Sequence, residues 1–484
     1  MKTKNKKILL AVALICALAA SSAYAQTIST RLGKLEVESG YPSKESITKL
    51  TDEMDYQRAC QAYIWGLPMV GIAEWQKAHD NIFKVRNGQL VLFLSFEQKL
   101  GIMTPNFDTP YVAALADLEK SGPLVFELPK GLMAGMVIDS WQRSLTDVGV
   151  VGPDKGEGGK YLILGPGQED PKAEGYIVIR STTTSVFFGV RLLDPDRDRA
   201  MRELVPQMRT YAWSARNSPP KEQVVPAGNA KWSQTPPTGM AYWESLANAL
   251  AKEPVQERDR FVMAMLKPLG IEEGKPFKPT ARQRKILSDA AQMGELMAKA
   301  NTYTKRFEDA YWPGSRWKDV LAVNTTQREK NFDQLDERGS YFYEAVAISE
   351  AMRSTTSGFG QRYMGVYQDK DGGWLTGENN YRLHVPANPP AKQFWSVTVY
   401  DEKNRQMLVN DTKRMDISSR NPAVVKNADG STDVYVGPTA PKGFEYNWVQ
   451  TKPGEGWFTL FRFYGPTEKL FDKSWVLPDF EKMT

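Results

Sequence analysis

Three kinds of residue in this chain could do chemistry: carboxylates in a stiffened loop or at a strand end, arginines inside apolar strands, and one histidine on a polar strand face. The loop is Thr104-Pro105-Asn106-Phe107-Asp108-Thr109-Pro110, followed by Tyr111. Its two prolines restrict the backbone, and Asn106 and Asp108, at i and i+2, share a side if that backbone is extended. Thr104, Asn106 and Tyr111 would then bind a polar substrate while Asp108 serves as acid or base. The opposing reading is that the Asx side chains cap the loop's own backbone. Asp139 ends the apolar run GMVI and precedes Ser140 and Trp141. A carboxyl at a strand end beside an aromatic ring has reason to keep its proton and act as a general acid, with Trp141 against the substrate; it could equally cap the next turn. Asp108 and Asp139 would form a glycosidase-like pair at a separation of about 5–10 Å.

The arginines carry a plainer physical signal. In WFTLFRFY, Arg462 shares a strand face with Phe458, Leu460 and Tyr464, while Trp457, Phe461 and Phe463 occupy the other. With both faces apolar, Arg462 must be buried or line a pocket, and a buried guanidinium needs an anionic or carbonyl partner. Arg191 repeats the pattern between Phe187 and Leu193. Either these cations pair internally with Asp or Glu, or they clamp an anionic ligand beside Tyr464. In NNYRLHVP, Arg382 and His384 share a face with Asn380, which reads as a site wall or a solvated face. His384 is the plausible histidine base, because His79 sits in the polar segment KAHDN. Trp395, Trp448, Trp457 and Trp475 could stack on sugar rings, but their strand spacing suits packing.

The elements that position these residues follow from periodicity. Alternation with period two predicts strands at 90–95, 111–118, 123–128, 134–140, 160–164, 175–180 and 185–193, separated by Gly/Pro turns. Spacing of i, i+3 and i+4 predicts helices over 52–79, 242–251, 259–266, 280–301 and 336–353, the first ended or kinked at Pro68. From 379 to 478 strand runs return, with turns at DKDGG (369–373) and DGS (429–431). The expected fold is mainly β with helical insertions (α+β): two antiparallel β-sandwiches linked by a helical region. The expected parts are a signal peptide (1–25), a polar N-terminal arm (26–50), a helix and first sandwich (51–200), a Pro-rich link and helical region (201–355), and a C-terminal sandwich (356–484).

The opening 25 residues have a lysine-rich start, an apolar run of signal length and Ala23-Tyr24-Ala25, the pattern of a cleaved export signal. Ile15 before Cys16 does not fit a lipoprotein box. Removing this leader takes four lysines and no acid, lowering the net charge from +5 to about +1. That balance gives no reason for a nucleic-acid partner. No membrane span is expected after cleavage, because the leader's apolar run is too short for one. Cys60 alone then remains, so no intrachain disulfide forms and a large core must hold the fold. Two histidines rule out a three-histidine metal site, and HExxH is absent. No cofactor is expected; the metal requirement stays open, since carboxylates and carbonyls could hold calcium or magnesium.

TPNFDTPY (104–111), DSWQRSLTDVG (139–149), GKYLILGPG (159–167) and GYIVIRS (175–181) resemble the domain of unknown function 1254. FWSVTVYD (394–401), the DGS turn, NWVQTKPGEGWFTLFRFYGP (447–466) and FDKSWVLP (471–478) resemble its usual C-terminal partner, the domain of unknown function 1214. Phe107 stands where the first pattern more often has Asn. The resemblance implies jelly-roll-like sandwiches and a homo-oligomer, and supplies no reaction; the likeness of paired jelly rolls to glycan-handling proteins is an analogy of fold. Two functions are compatible with these residues. One is an exported, periplasmic or secreted hydrolase acting on a saccharide or small polar or anionic substrate between the sandwiches, with Asp108, Asp139 and His384 as catalytic groups. The other is a non-catalytic envelope protein that binds a ligand or serves a structural role. The recurrence of polar residues inside strands favours the enzyme slightly.

Overall fold

A computed structural model describes residues 25–221 and 223–483. The expected signal peptide and Cys16 lie outside the described residues, apart from the backbone of Ala25. The segment expected as a loose arm opens instead with a small antiparallel sheet: β1 (Ala25–Thr30), β2 (Gly33–Glu38) and β3 (Tyr41–Pro42). Its alternating Thr, Leu and Val residues pair across a tight turn, a short-range strand signal hidden by the polarity of the segment.

Helix α1 (Lys44–Ala78) follows, its first turn capped by the Ser43 hydroxyl. It continues past Pro68, where an end or a kink was expected. Trp65 to Val70 are all buried, and Gln142 Nε2 donates to the Pro68 carbonyl at 2.7 Å. Packing on every side thus outweighs the lost backbone hydrogen bond.

The first sandwich has a six-stranded sheet in the order β13-β4-β5-β11-β7-β8 and a four-stranded sheet in the order β10-β9-β6-β12. Its strands are β4 (Leu90–Phe93), β5 (Tyr111–Asp117), β6 (Leu124–Leu128), β7 (Met133–Asp139), β8 (Ser144–Gly149), β9 (Gly159–Leu164), β10 (Ile177–Arg180), β11 (Ser185–Leu192), β12 (Arg209–Ala212) and β13 (Val224–Pro226). A short helix, α2 (Phe96–Lys99), precedes the 104–110 loop. Val112, Ala114, Phe188 and Val190 of the larger sheet meet Phe126, Tyr161 and Ile163 of the smaller one in a core between the two. Its opposite face, with Ala113, Leu115 and Phe187, packs on Ile72 and Trp75 of α1. Burial on both faces explains why these strands read as continuous apolar runs. β12 and β13 carry this sandwich past residue 200, the expected boundary.

The helical region contains α3 (Met240–Leu250), α4 (Arg260–Leu266), α5 (Ala281–Thr304) and α6 (Leu335–Glu344). α5 packs closely on α1 at Gly294, where an added Cβ would lie 2.7 Å from Tyr63 Cβ. α6 stops at Glu344, well short of 353: Ala345 is extended and Ala347 has φ 60°. The chain there leaves the helix to cover the first sandwich, with the Ala347 N–H donating to Gln142 Oε1 at 2.7 Å.

The second sandwich pairs a five-stranded sheet, β14-β15-β21-β17-β18, with a four-stranded sheet, β20-β19-β16-β22. The strands are β14 (Lys318–Asp319), β15 (Gln361–Val366), β16 (Tyr381–Val385), β17 (Ala391–Asp401), β18 (Asp416–Ser418), β19 (Thr432–Gly437), β20 (Trp448–Gln450), β21 (Trp457–Pro466) and β22 (Glu481–Lys482). Both expected turns form: Gln368 and Trp374 bridge across DKDGG, and Gly430 of DGS has φ 83°. Trp395, Trp457 and Trp475 pack in the inter-sheet core, and Trp448 is also buried. The fold is α+β with two pairs of facing sheets. Three of these four sheets are mixed rather than purely antiparallel, since β4–β13, β9–β10 and β19–β20 are parallel pairs; the five-stranded sheet is antiparallel throughout. Cys60 is free and buried. Among the described residues no helix is long and apolar enough to cross a membrane.

Candidate functional site

Strand parity decides what the two sandwiches present to each other. On β21, Phe461 and Phe463 enter the second sandwich's core, so Arg462 points out of its opposite face, beside Tyr363 on β15, its cross-strand partner. On β11, Val190 and Leu192 enter the first core, so Arg191 points away from it, in register with Tyr111 and Ala134. The two faces meet around a cavity of about 100 Å³. Thr104, Asn106, Tyr111, Arg191, Tyr363 and Arg462 form its polar end, and Trp75, Phe187, Met136 and Met352 are among its apolar walls.

Neither guanidinium has a carboxylate partner within ion-pair distance among the described residues. Arg462, 2 % exposed, donates to Thr398 Oγ1 at 2.8 Å and to the Thr104 carbonyl at 2.9 Å. Arg191 donates to Gln361 Oε1 at 2.7 Å and, at 3.5 Å, to Tyr363 Oη. A guanidinium has five N–H donors, so each keeps donors free beside the cavity. Tyr111 Oη accepts the Asn106 N–H at 2.8 Å, leaving its own proton to give. Burial pushes this phenol up, which keeps it a donor.

Behind the polar end lies a second ring of charge. Lys99, at the end of α2, is 1 % exposed. Its Nζ donates to the carbonyls of Asn106, Phe107 and Thr109 at 2.9, 2.9 and 3.1 Å. Burial, then the Arg197 guanidinium, pushes this ammonium down to about 7. The Asp108 carboxyl is pushed up by burial, opposed by Arg420 and Lys99. Asp416 is pushed up by burial and by Asp108, and Thr398, which accepts from Arg462, donates to it. The arginine therefore reaches a carboxyl only through a hydroxyl.

The expected site residues separate on this geometry. Thr104, Asn106, Tyr111, Arg191 and Arg462 come together. Tyr464 stacks on Phe394 at 3.9 Å, its buried hydroxyl without a partner, and does not line the cavity. Asn106 contributes as a wall only: its side chain is held by Thr109, accepting the Thr109 N–H at 2.9 Å and donating to Oγ1 at 2.9 Å. Asn106 thus caps the loop's own backbone, as the Asx alternative has it, whereas Asp108 keeps one buried carboxyl oxygen without a hydrogen-bond partner. Phe107 stacks on Phe96 with centroids 5.9 Å apart.

Asp139 is a correction. It lies five residues along β7 from Ala134, about 16 Å at the rise of a strand, and Asp108 lies beyond the opposite end. No glycosidase-like pair forms; Asp139 binds Arg143 at 2.7 Å, although burial still pushes its carboxyl up. Trp141 packs on Trp65 at 4.5 Å in the helical core, under the Arg338 guanidinium. His384 and Arg382 stand on the solvent-facing side of β16, paired with Asp433 and Glu481 at 2.8 and 2.9 Å. Lys99, Gln361, Tyr363 and Asp416 escaped sequence reasoning. For Gln361 and Tyr363 the i, i+2 spacing in QRYMGV was available; for Lys99 in FEQKLG there was no signal. Among the described residues no group of three or more His, Cys, Asp or Glu side chains gathers as metal ligands.

Asp147 pins the segment that covers the cavity. It stands opposite Met136 in the β7–β8 ladder and accepts the Ala351 N–H at 3.2 Å. Burial pushes its carboxyl up to about 6, against the Ser349 hydroxyl and the Ala351 N–H. A carboxyl raised in the folded state contributes stability that is full below the unfolded value of about 3.9 and lost as pH rises through 6. Asp147→Asn keeps the acceptor oxygen and is expected to be more stable than the wild type at pH 8 by about 1–2 kcal/mol, with no gain at pH 4. Urea unfolding at the two pH values reads this difference.

Residues 93–212 match the family model described as Protein of unknown function (DUF1254), and residues 360–468 match Protein of unknown function (DUF1214). The VPA0106 protein from Vibrio parahaemolyticus is similar in structure, with TM-score 0.54 and 17 % identity, over 89 % of this chain and 100 % of that one. A putative uncharacterized protein from Burkholderia cenocepacia aligns over 91 % of this chain and 90 % of that one, with TM-score 0.40 and 14 % identity. No curated protein matches the chain.

Proposed function

We propose that this chain, which matches DUF1254 in its N-terminal part and DUF1214 in its C-terminal part, binds a small anionic molecule in the cavity between its sandwiches. One observation carries the reading. Arg191 and Arg462, from different sandwiches, bring cationic donors without carboxylate partners to one cavity. A buried guanidinium without a counter-charge is costly, and an incoming carboxylate or phosphate offsets that cost by taking the free N–H groups.

Binding is favoured over hydrolysis because Asp108, Asp139 and His384, the groups a hydrolase would use, do not line the cavity. The wider picture that goes with this reading is an exported, periplasmic or secreted protein with jelly-roll-like sandwiches, working as a homo-oligomer on a small molecule or saccharide rather than on nucleic acid.

Propionate and propionamide test the reading, since they share a size and differ in charge. Propionate at a hundredfold excess over its Kd is expected to stabilise the protein by about 2.7 kcal/mol, raising Tm by a few degrees. Propionamide should leave Tm unchanged. Equal shifts from both would end the anion reading.

A further inference from the structure

The cavity floor narrows the class of anion. Along β11 the residues facing the cavity are Arg191, Gly189 and Phe187. Gly189 stands in register with Ala113 on β5 and Met136 on β7, and Arg191 with Tyr111 and Ala134. Beside the cationic end the floor is Ala134, and in the next row it runs from Ala113 across Gly189 to Met136. A Cβ at Gly189 would lie 2.6 Å from the Phe187 ring. At about 3.3 Å per residue, Arg191 and Phe187 are about 13 Å apart along the strand, but the Phe187 ring folds back over Gly189, so aromatic surface begins one strand step from Arg191. Trp75 closes the far end, its ring centroid 4.9 Å from that of Phe187. Met352 lines the cavity from outside the sheet.

This is an apolar slot with donors at one end and aromatic rings at the other. We propose that the ligand is a monocarboxylate with a flat apolar body, of the aromatic-acid class. Its carboxylate accepts from Arg191, Arg462 and the Tyr111 hydroxyl, and its body lies against the Phe187 ring, which covers Gly189, and toward Trp75. The proposal rests on the anion-binding reading and adds the body to the charge. A phosphate or a short dicarboxylate would satisfy the arginines but leave the aromatic surface uncovered, which sets the order of affinities.

Isothermal titration of the purified protein with benzoate, acetate, succinate, phosphate and benzyl alcohol reads that order. Benzoate is expected to bind at least about tenfold tighter than acetate or succinate, from the apolar area covered, and benzyl alcohol to bind far more weakly than benzoate. Gly189→Ala, whose Cβ displaces the Phe187 ring from its seat, should remove the advantage of benzoate while acetate binds as before. Acetate, succinate or phosphate binding as tightly as benzoate would overturn the aromatic-acid assignment and leave the anion reading standing. Benzyl alcohol binding as well as benzoate, or no binding by any of the five, would remove both.

Discussion

Arg462→Met is expected to weaken the binding of small carboxylates by at least about a hundredfold, the equivalent of two charge-assisted hydrogen bonds. The methionine fills much of the same volume, so the change removes charge and donors rather than packing. It also strips the Thr104 carbonyl and Thr398 Oγ1 of a donor that reaches them at 2.9 and 2.8 Å. Folding stability should therefore fall too, by about 1–3 kcal/mol. Arg462→Lys separates the two effects: it restores a charge without the planar fork, and an intermediate affinity is expected. Titration with propionate, with circular dichroism to verify the fold, reads both. A folded Arg462→Met protein that binds propionate like the wild type would sink the proposed function.

The largest effect on stability is expected outside the cavity lining, at Glu344. Its carboxylate ends α6 and pairs with Lys305 Nζ, just past α5, at 2.8 Å, with side chains 0 % and 1 % exposed. Lys305 also donates to Ser340 Oγ at 3.0 Å, and the Tyr367 hydroxyl donates to Glu344. The pair thereby ties the helical region to the chain leaving β15. Deleting one partner leaves the other charged, buried and unpaired. Glu344→Ala is accordingly expected to cost about 3–5 kcal/mol. Replacing both partners, as Lys305→Met with Glu344→Leu, should recover most of that loss, because two apolar side chains need no compensation. Urea midpoints of the wild type, single and double variants decide it. A single variant losing less than about 1 kcal/mol would show that the charge is relieved in some other way.

Local pattern carried much of this. The parity of WFTLFRFY puts Arg462 on the face opposite Phe461 and Phe463, and that is where it stands. The runs around 111–118, 134–140 and 185–193 appear as β5, β7 and β11. Asp139 was left open between a general acid and a turn cap, because a carboxylate at a strand end looks the same whether a turn or a substrate awaits it; it is the cap, accepting the Arg143 N–H at 2.9 Å. Here Arg143 supplies the partner. Pro68 does not end α1, although its local cost is real, because the burial of Trp65 to Val70 outweighs it.

What the sequence determined by itself was the alternation of side chains along each strand, hence which residues face together, and the presence of arginines that could not be left in an apolar core. Alternation is a property of backbone geometry and needs no partner to be read. Only the tertiary structure decided which faces meet. Arg191 and Arg462 are 271 positions apart and share a cavity because the outer faces of two separate sheets pack together. Asp108 and Asp416, 308 positions apart, perturb each other for the same reason. Lys99 shows the limit most plainly. A lysine is ordinarily solvated, and this one becomes a buried clamp only because the 104–110 loop folds three carbonyls onto its ammonium.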